Sequence, residues 1–170
     1  TIEIKSKKGS GTTVTMTLPF KIRQPEKNEI SKTDNGTRQE MSFEGMRALI
    51  AEDNELNAEI AETVLVEAGI EVKRVEDGLQ CIEELKKMPE NYYDVILMDV
   101  QMPNMDGYTA TQRIRDLDDS RAEIPIIAMT ANAYDEDRRK AQEAGMDGFL
   151  AKPLDVDEMM RLLGKITKTE

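Results

Sequence analysis

Between residues 47 and 166 of this chain, short apolar runs and longer stretches of helical periodicity follow one another in strict turn. Arg47-Ala48-Leu49-Ile50-Ala51 is a short apolar run that predicts a strand. Residues 54–68 then place Leu56, Ile60, Ala61, Val64, Leu65 and Ala68 at helical spacing, and Gly69 ends that helix. Ile70 to Val75 predicts the second strand. Asp77, with Gln80 three residues on, marks the start of a helix that turns Leu79, Ile82, Leu85 and Met88 inward before Pro89. Val95-Ile96-Leu97-Met98 is apolar at four successive positions, the pattern of a strand buried on both faces, and it ends abruptly in Asp99. A helix from about Gly107 to Leu117, a strand from Ile124 to Met129, and a polar helix over 135–144 follow. Phe149-Leu150-Ala151 predicts a fifth strand. The last helix opens on Asp155 and Glu158 and buries Met159, Leu162, Leu163 and Ile166. Five strands alternating with five helices imply parallel pairing and right-handed crossovers, hence an α/β doubly wound sheet with helices on both faces. Met98, Met102, Met105, Met129 and Met159 are expected to fill that core.

Before residue 44 the rhythm changes. Thr13-Val14-Thr15-Met16-Thr17-Leu18 alternates with the period of a half-buried strand that Pro19 ends, and Ile2-Glu3-Ile4-Lys5 has the same period. Gly9-Ser10-Gly11 between them predicts a hairpin, extra to the main sheet. Isolated hairpins are marginal in water, so these strands are expected to belong to a larger sheet. Residues 23–43 are polar, carry Pro25 and the turn signal Asp34-Asn35-Gly36, and read as a linker.

In a parallel sheet the C-terminal strand ends share one edge, where open α/β sheets bind their ligands. The predicted strands of the body end there in Glu52-Asp53, Asp99, Thr130-Ala131 and Lys152-Pro153. Distant acidic positions therefore converge, with a hydroxyl and an amine facing them. Crowded carboxylates repel, and a small hard cation such as Mg²⁺ relieves this by taking oxygen ligands. An ionised carboxylate is already a nucleophile, and Mg²⁺ with Lys152 could stabilise charge on a transferring phosphoryl group.

Composition narrows the chemistry. The 170 residues contain no histidine, which excludes within this chain a Ser-His-Asp triad, histidine metal sites and a phosphohistidine. Cys81 is the single cysteine, so no disulfide framework exists, as expected of a reducing compartment. Residues 1–43 hold eight basic and five acidic side chains, and residues 44–170 hold fifteen and twenty-nine. So acidic a body is a poor binder of nucleic acid or anionic membrane. No apolar run approaches the length of a membrane span, and no signal peptide is visible.

Two resemblances follow from these motifs. Lys8-Gly9-Ser10-Gly11-Thr12-Thr13-Val14-Thr15-Met16-Thr17-Leu18-Pro19-Phe20 resembles the closing strands of a histidine-kinase ATP-binding domain, which implies that residues 1–22 are the C-terminal remnant of one. The kinase's histidine, asparagine helix and glycine-rich lid have no counterpart here, so no ATP site is expected in this chain. Residues 46–168 resemble a response-regulator receiver domain, of flavodoxin-like fold with strand order 2-1-3-4-5. The motifs are Glu52-Asp53, Asp99 within Met-Asp-Val-Gln-Met-Pro-Asn-Met-Asp-Gly, Met-Thr-Ala at 129–131, and Phe149-Leu-Ala-Lys152-Pro153. The run Glu52-Asp53-Asn54-Glu55-Leu56-Asn57 is typical of receivers attached to sensor kinases, so the parent is expected to be a hybrid histidine kinase.

The receiver resemblance implies roles. Asp99 would accept phosphate from a phosphohistidine on a kinase or phosphotransfer domain. Asp53, the Asp99 carboxylate and the backbone carbonyl of Gln101 would bind Mg²⁺, with Glu52 acting mainly through water. Thr130, Ala131 and Lys152 would hold the phosphoryl group. Thr130 and Phe149 would form the conformational switch, Pro153 would follow a cis peptide bond, and Gln101 and Asn132 would tune phosphate lifetime. The readout and self-association face would be the fourth helix, fifth strand and last helix of the body. Such a domain, spanning 44–170, supports only its own phosphorylation and dephosphorylation. Its expected location is the cytoplasm, with any membrane anchor elsewhere in the parent protein. The competing readings are a phosphorylation-independent interaction module, an autonomous kinase and a flavin site. The complete set of acidic, Thr and Lys positions argues against the first, and the missing ATP motifs argue against the second. The absence of a phosphate-cradling loop after the first strand argues against the third.

Overall fold

The structure, a computed structural model, describes residues 2–7, 9, 11–17, 43–131 and 135–166. It divides into two units, residues 1–39 and 40–170. The first contains an antiparallel hairpin of β1 (Ile2–Lys7) and β2 (Gly11–Met16). Its register pairs Ile2 with Met16 and Ile4 with Val14, so the four apolar side chains share one face. That face is exposed: Ile2, Ile4, Val14 and Met16 keep 59–68% of their surface. The period-two pattern therefore marks the strands correctly but not the half-burial expected of them, and β2 begins two residues earlier than predicted. The predicted linker lies outside the described residues except for Phe43, which is buried in the core of the second unit.

That unit is a five-stranded, wholly parallel sheet in the order β4-β3-β5-β6-β7. Numbered within the unit, this is the expected 2-1-3-4-5. The strands are β3 (Arg47–Ala51), β4 (Glu71–Val75), β5 (Val95–Asp99), β6 (Ile126–Thr130) and β7 (Gly148–Ala151). Between and after them lie α1 (Glu55–Glu67), α2 (Gly78–Lys87), α3 (Gly107–Arg115), α4 (Asp135–Ala144) and α5 (Val156–Ile166). All residues of β5 and β6 are buried, as their unbroken apolar runs require.

Successive side chains of the central strands point to opposite faces and feed two separate cores. Leu49, Ile96, Met98, Ile126 and Ala128 pack with Cys81, Leu85, Ala110 and Ile114 of α2 and α3. Ile50, Val95, Leu97, Ile127 and Met129 pack with Ala61 and Leu65 of α1 and Met159 and Leu163 of α5. Each fully buried Leu, Ile or Met contributes roughly 1.5–3 kcal/mol, so these layers dominate stability. The methionines fill space as expected: Met98, Met129 and Met159 are wholly buried.

Two helices keep most of the predicted face but leave residues of their N-terminal halves outside. In α1, Leu56 and Ile60 are 65% and 47% exposed, and the buried stripe is Ala58, Ala61 and Leu65. Small residues there let the helix lie close to the sheet, which leaves the larger pair on its flank. In α2, Leu79 is outside and the buried stripe is Gly78, Cys81, Ile82 and Leu85. A Cβ on Gly78 would stand 2.7 Å from the Cβ of Ala110, so α2 and α3 touch backbone to side chain at this point.

The starts of α2 and α5 were legible from Asp77 and Asp155, whereas the cap of α3 was not. Asp77 accepts from the N–H of Gln80 at 2.8 Å, Asp106 from Thr109 at 2.8 Å, and Asp155 from Glu158 at 2.9 Å. Gly107 opens α3 directly against the end of β5, where any Cβ would overlap the carbonyl oxygen of Asp99 and lie 2.9 Å from Met98. The edge away from these strand ends is held by arginines. Arg115 donates to the carbonyls of Gly145, Ala122 and Ile124 and to Asp147.

Candidate functional site

The last residues of β3, β5, β6 and β7, or those just after them, line one edge of the sheet. Asp99 ends β5 and is buried, Thr130 ends β6 and is buried, and Glu52 directly follows β3 and is buried. Asp53 beside it is exposed. One oxygen from each of Glu52, Asp53 and Asp99 lies within 4.8 Å of the others. Lys152 reaches in from the end of β7 and bridges two of them, its Nζ lying 2.5 Å from Oε2 of Glu52 and 2.8 Å from Oδ2 of Asp99. Its backbone N–H donates to the Thr130 carbonyl at 2.7 Å, which seats the segment beside β6. The Lys152–Pro153 bond is cis, as expected.

Three carboxylates crowd here, and the Lys152 ammonium contacts two of them. Two like charges ~4 Å apart repel by on the order of 4 kcal/mol at an effective dielectric of ~20. Burial pushes the Asp99 carboxyl above its usual value, the Lys152 ammonium and the Gln101 N–H pull it back, and Glu52 adds to the rise. The Gln101 backbone N–H donates to Oδ1 of Asp99 at 3.1 Å. A divalent cation held by oxygens relieves this crowding, and the donor set, carboxylates with no nitrogen or sulfur, is that of a hard cation.

Of the residues singled out from sequence, Glu52, Asp53, Asp99, Thr130 and Lys152 are thus gathered at one edge. Gln101 and Ala131 are exposed beside them. Phe149 pairs with Ala128 across β7 and β6 and is half-buried, with the Arg138 guanidinium 4.4 Å from its ring centre. Asn132 lies outside the described residues.

Sequence reading missed several partners. Asn57 donates from Nδ2 to Oε1 of Glu52 at 3.0 Å. Asn104, in a left-handed conformation at φ 59°, donates to Asp77 at 2.8 Å, and the Gly78 N–H bonds the Met105 carbonyl at 3.1 Å. These two bonds tie the loop after Asp99 to the start of α2. The only trace of them in the sequence is residue type, since their partners are distant along the chain or set by helix phase.

The comparisons agree with this geometry. A model of the response regulator receiver domain matches residues 48–164. The peroxide stress-activated histidine kinase mak1 of Schizosaccharomyces pombe is 37% identical over 131 residues, 76% of this chain but 8% of that protein. The receiver domain of the sensor histidine kinase PA1611 of Pseudomonas aeruginosa, solved with a magnesium ion coordinated in its active site cleft, is 39% identical. It superposes at a TM-score of 0.66 over 73% of this chain and 99% of that one. The receiver domain of the Saccharomyces cerevisiae response regulator Ssk1, solved with the histidine phosphotransfer protein Ypd1, is 30% identical. Its TM-score is 0.63, over 72% of this chain and 86% of that one. The match of the family model to most of its length, on a sheet with this strand order, shows that the chain belongs to the response regulator receiver domain family.

Proposed function

We propose that this chain is a phosphoacceptor of a two-component phosphorelay, with Asp99 as the residue that is phosphorylated. The observation that carries the assignment is the buried Asp99 carboxylate at a strand end, 2.8 Å from the Lys152 ammonium and beside two further carboxylates. A carboxylate oxygen of Asp99 attacks phosphorus, the phosphorus–nitrogen bond of a phosphohistidine breaks, and the imidazole leaves with the bond's electron pair. No general base is needed, because the nucleophile is already ionised. Lys152 stays within reach of the incoming phosphoryl oxygens and balances their charge. Asp53 and Asp99, with the backbone carbonyl of Gln101, would hold Mg²⁺, and Glu52 would complete its surroundings through water. When bound, the ion supplies charge neutralisation for the acidic cluster and the transferred group.

Thr130 and Ala131 would meet the phosphoryl oxygens, and Thr130 with Phe149 would convert phosphorylation into a shift between two conformations. Gln101, two residues beyond the acceptor, and Asn132 would set how fast water reaches the acyl phosphate. The readout face would be α4, β7 and α5, through which the chain would also self-associate.

The donor would be a histidine-bearing phosphotransfer or kinase domain, as the Ssk1–Ypd1 pairing suggests. An apolar flank suited to such a partner lies next to the site: exposed Leu56 and Ile60 on α1, and a groove of about 100 Å³ lined by Asn57, Ile60, Lys152, Pro153 and Leu154. The parent protein would be a hybrid histidine kinase, with residues 1–22 the end of its ATP-binding domain, 23–43 a linker and 44–170 the receiver. The cytoplasm is where such a domain would meet its donor; no helix among the described residues is long and apolar enough to cross a membrane.

Incubation with acetyl phosphate and Mg²⁺, followed by peptide mass spectrometry, tests the assignment. The expected result is Mg²⁺-dependent labelling at Asp99. Undiminished labelling of Asp99→Asn would sink it.

A further inference from the structure

Glu52 is 1% exposed, and both of its carboxylate oxygens are engaged. Oε2 accepts from Lys152 at 2.5 Å and Oε1 from the Asn57 amide at 3.0 Å. Lys152 in turn contacts Asp99. The four side chains form one line, Asn57–Glu52–Lys152–Asp99, that runs from the first turn of α1 to the acceptor. Asn57 is held for this task from the other side, because its backbone N–H donates to the Asn54 side chain that caps α1.

We propose that Asn57 is a positioning residue for phosphoryl acceptance, acting through Glu52 to hold Lys152 against Asp99. The proposal rests on the phosphoacceptor reading and deepens it. A carboxylate on a long Glu side chain has several rotamers, and a buried one needs a partner on each oxygen to keep a single orientation. Lys152 can fix only one end. Without the Asn57 amide, Glu52 is free to turn, and the ammonium loses one of its two anchors. Glu52 thereby serves chiefly as a holder of Lys152, which leaves direct metal contact to Asp53 and Asp99.

Two substitutions separate this role from helix stability. Asn57 is the third residue of α1, where an acidic side chain favours the helix. Asn57→Asp therefore keeps the helix start, but it replaces the donor to Glu52 with a second carboxylate, whose repulsion lowers the thermal midpoint without Mg²⁺. Asn57→Ala removes the donor without adding charge. The first readout needs no metal: the rate at which an amine-acylating reagent modifies Lys152, followed by peptide mass spectrometry with exposed Lys73 as internal reference. The second is the rate of Asp99 labelling by acetyl phosphate at saturating Mg²⁺.

In Asn57→Ala we expect Lys152 to be acylated faster and Asp99 to be labelled more slowly, each by about tenfold, the size of one hydrogen bond to a charged group. Asn57→Asp should label at least as slowly as Asn57→Ala. An unchanged value of either readout in Asn57→Ala, or wild-type labelling by Asn57→Asp, overturns the proposal. If the parent chain itself is not labelled at Asp99, the phosphoacceptor reading fails. The Lys152 reactivities then still decide whether Asn57 positions the ammonium.

Discussion

Burial makes the ionised form of Asp99 costly to the fold: it raises the carboxyl's proton affinity, so that form is less favourable in the folded chain than in the unfolded one. A carboxyl whose folded pKa is raised adds stability only below its unfolded pKa, and that stability is lost as pH rises through the folded value. Asp99→Asn should therefore raise the thermal midpoint at neutral pH without Mg²⁺, and the gain should vanish in acid. Calorimetry across pH checks this; a lower midpoint for the variant at pH 7 would contradict it. Burial acts the same way on Cys81, with nothing to offset it. It is wholly buried, and burial followed by the nearby Asp77 charge pushes its thiol up to about 12. It should resist a disulfide reagent in the native chain and react fully in denaturant, as thiolate reactivity requires.

At the level of elements, Asp77 joins the start of α2 to the loop that follows Asp99. Burial opposes its ionisation, but the N–H groups of Gln80 and Leu79 and the amides of Asn104 and Gln80 outweigh that and hold its carboxyl below the usual range. Its contribution is then present above the unfolded pKa and lost as pH falls through the folded value. Asp77→Ala should destabilise the chain by about 1–2 kcal/mol at pH 7, as the loss of a cap does. Urea titrations should show the gap from the parent chain closing as the solution is acidified, and a gap that widens would refute the account. The cap itself was legible in the sequence from Asp77 and Gln80. The Asn104 bond was not, because it joins two loops that only the parallel sheet brings to the same edge.

Across the whole molecule, the two ends of the sheet do different work. The strand-end edge gathers charge, and the other edge is clasped by Arg115 and opens a cavity of about 460 Å³ lined in part by Tyr92, Tyr93 and Arg121. That cavity shares no residue with the acidic cluster. Beside the cluster, the N-terminal half of α1 leaves Leu56 and Ile60 outside, where the sequence periodicity had put them in the core. Ile60→Glu should alter stability by no more than about 0.5 kcal/mol, as exposed positions do. It should slow transfer from a phosphohistidine protein while leaving labelling by acetyl phosphate unchanged. Equal slowing with both donors would place Ile60 in the fold rather than at a partner's interface.

The sequence by itself determined the alternation of strands and helices, the caps of α2 and α5 and the residues that end each strand. These depend on local periodicity and on side chains that bond their own neighbours. Because parallel strands must end together, it also determined that Glu52, Asp53, Asp99, Thr130 and Lys152 would meet. Only the tertiary structure decided which flank of α1 and α2 turns outward, since a helical stripe one step wider or narrower fits the same pattern and close packing against the sheet selects one. Tertiary structure likewise decided that Lys152 bridges Glu52 and Asp99 and that Asn57 orients Glu52. Those contacts are set by ångström-scale distances between strand ends, which no spacing along the chain records.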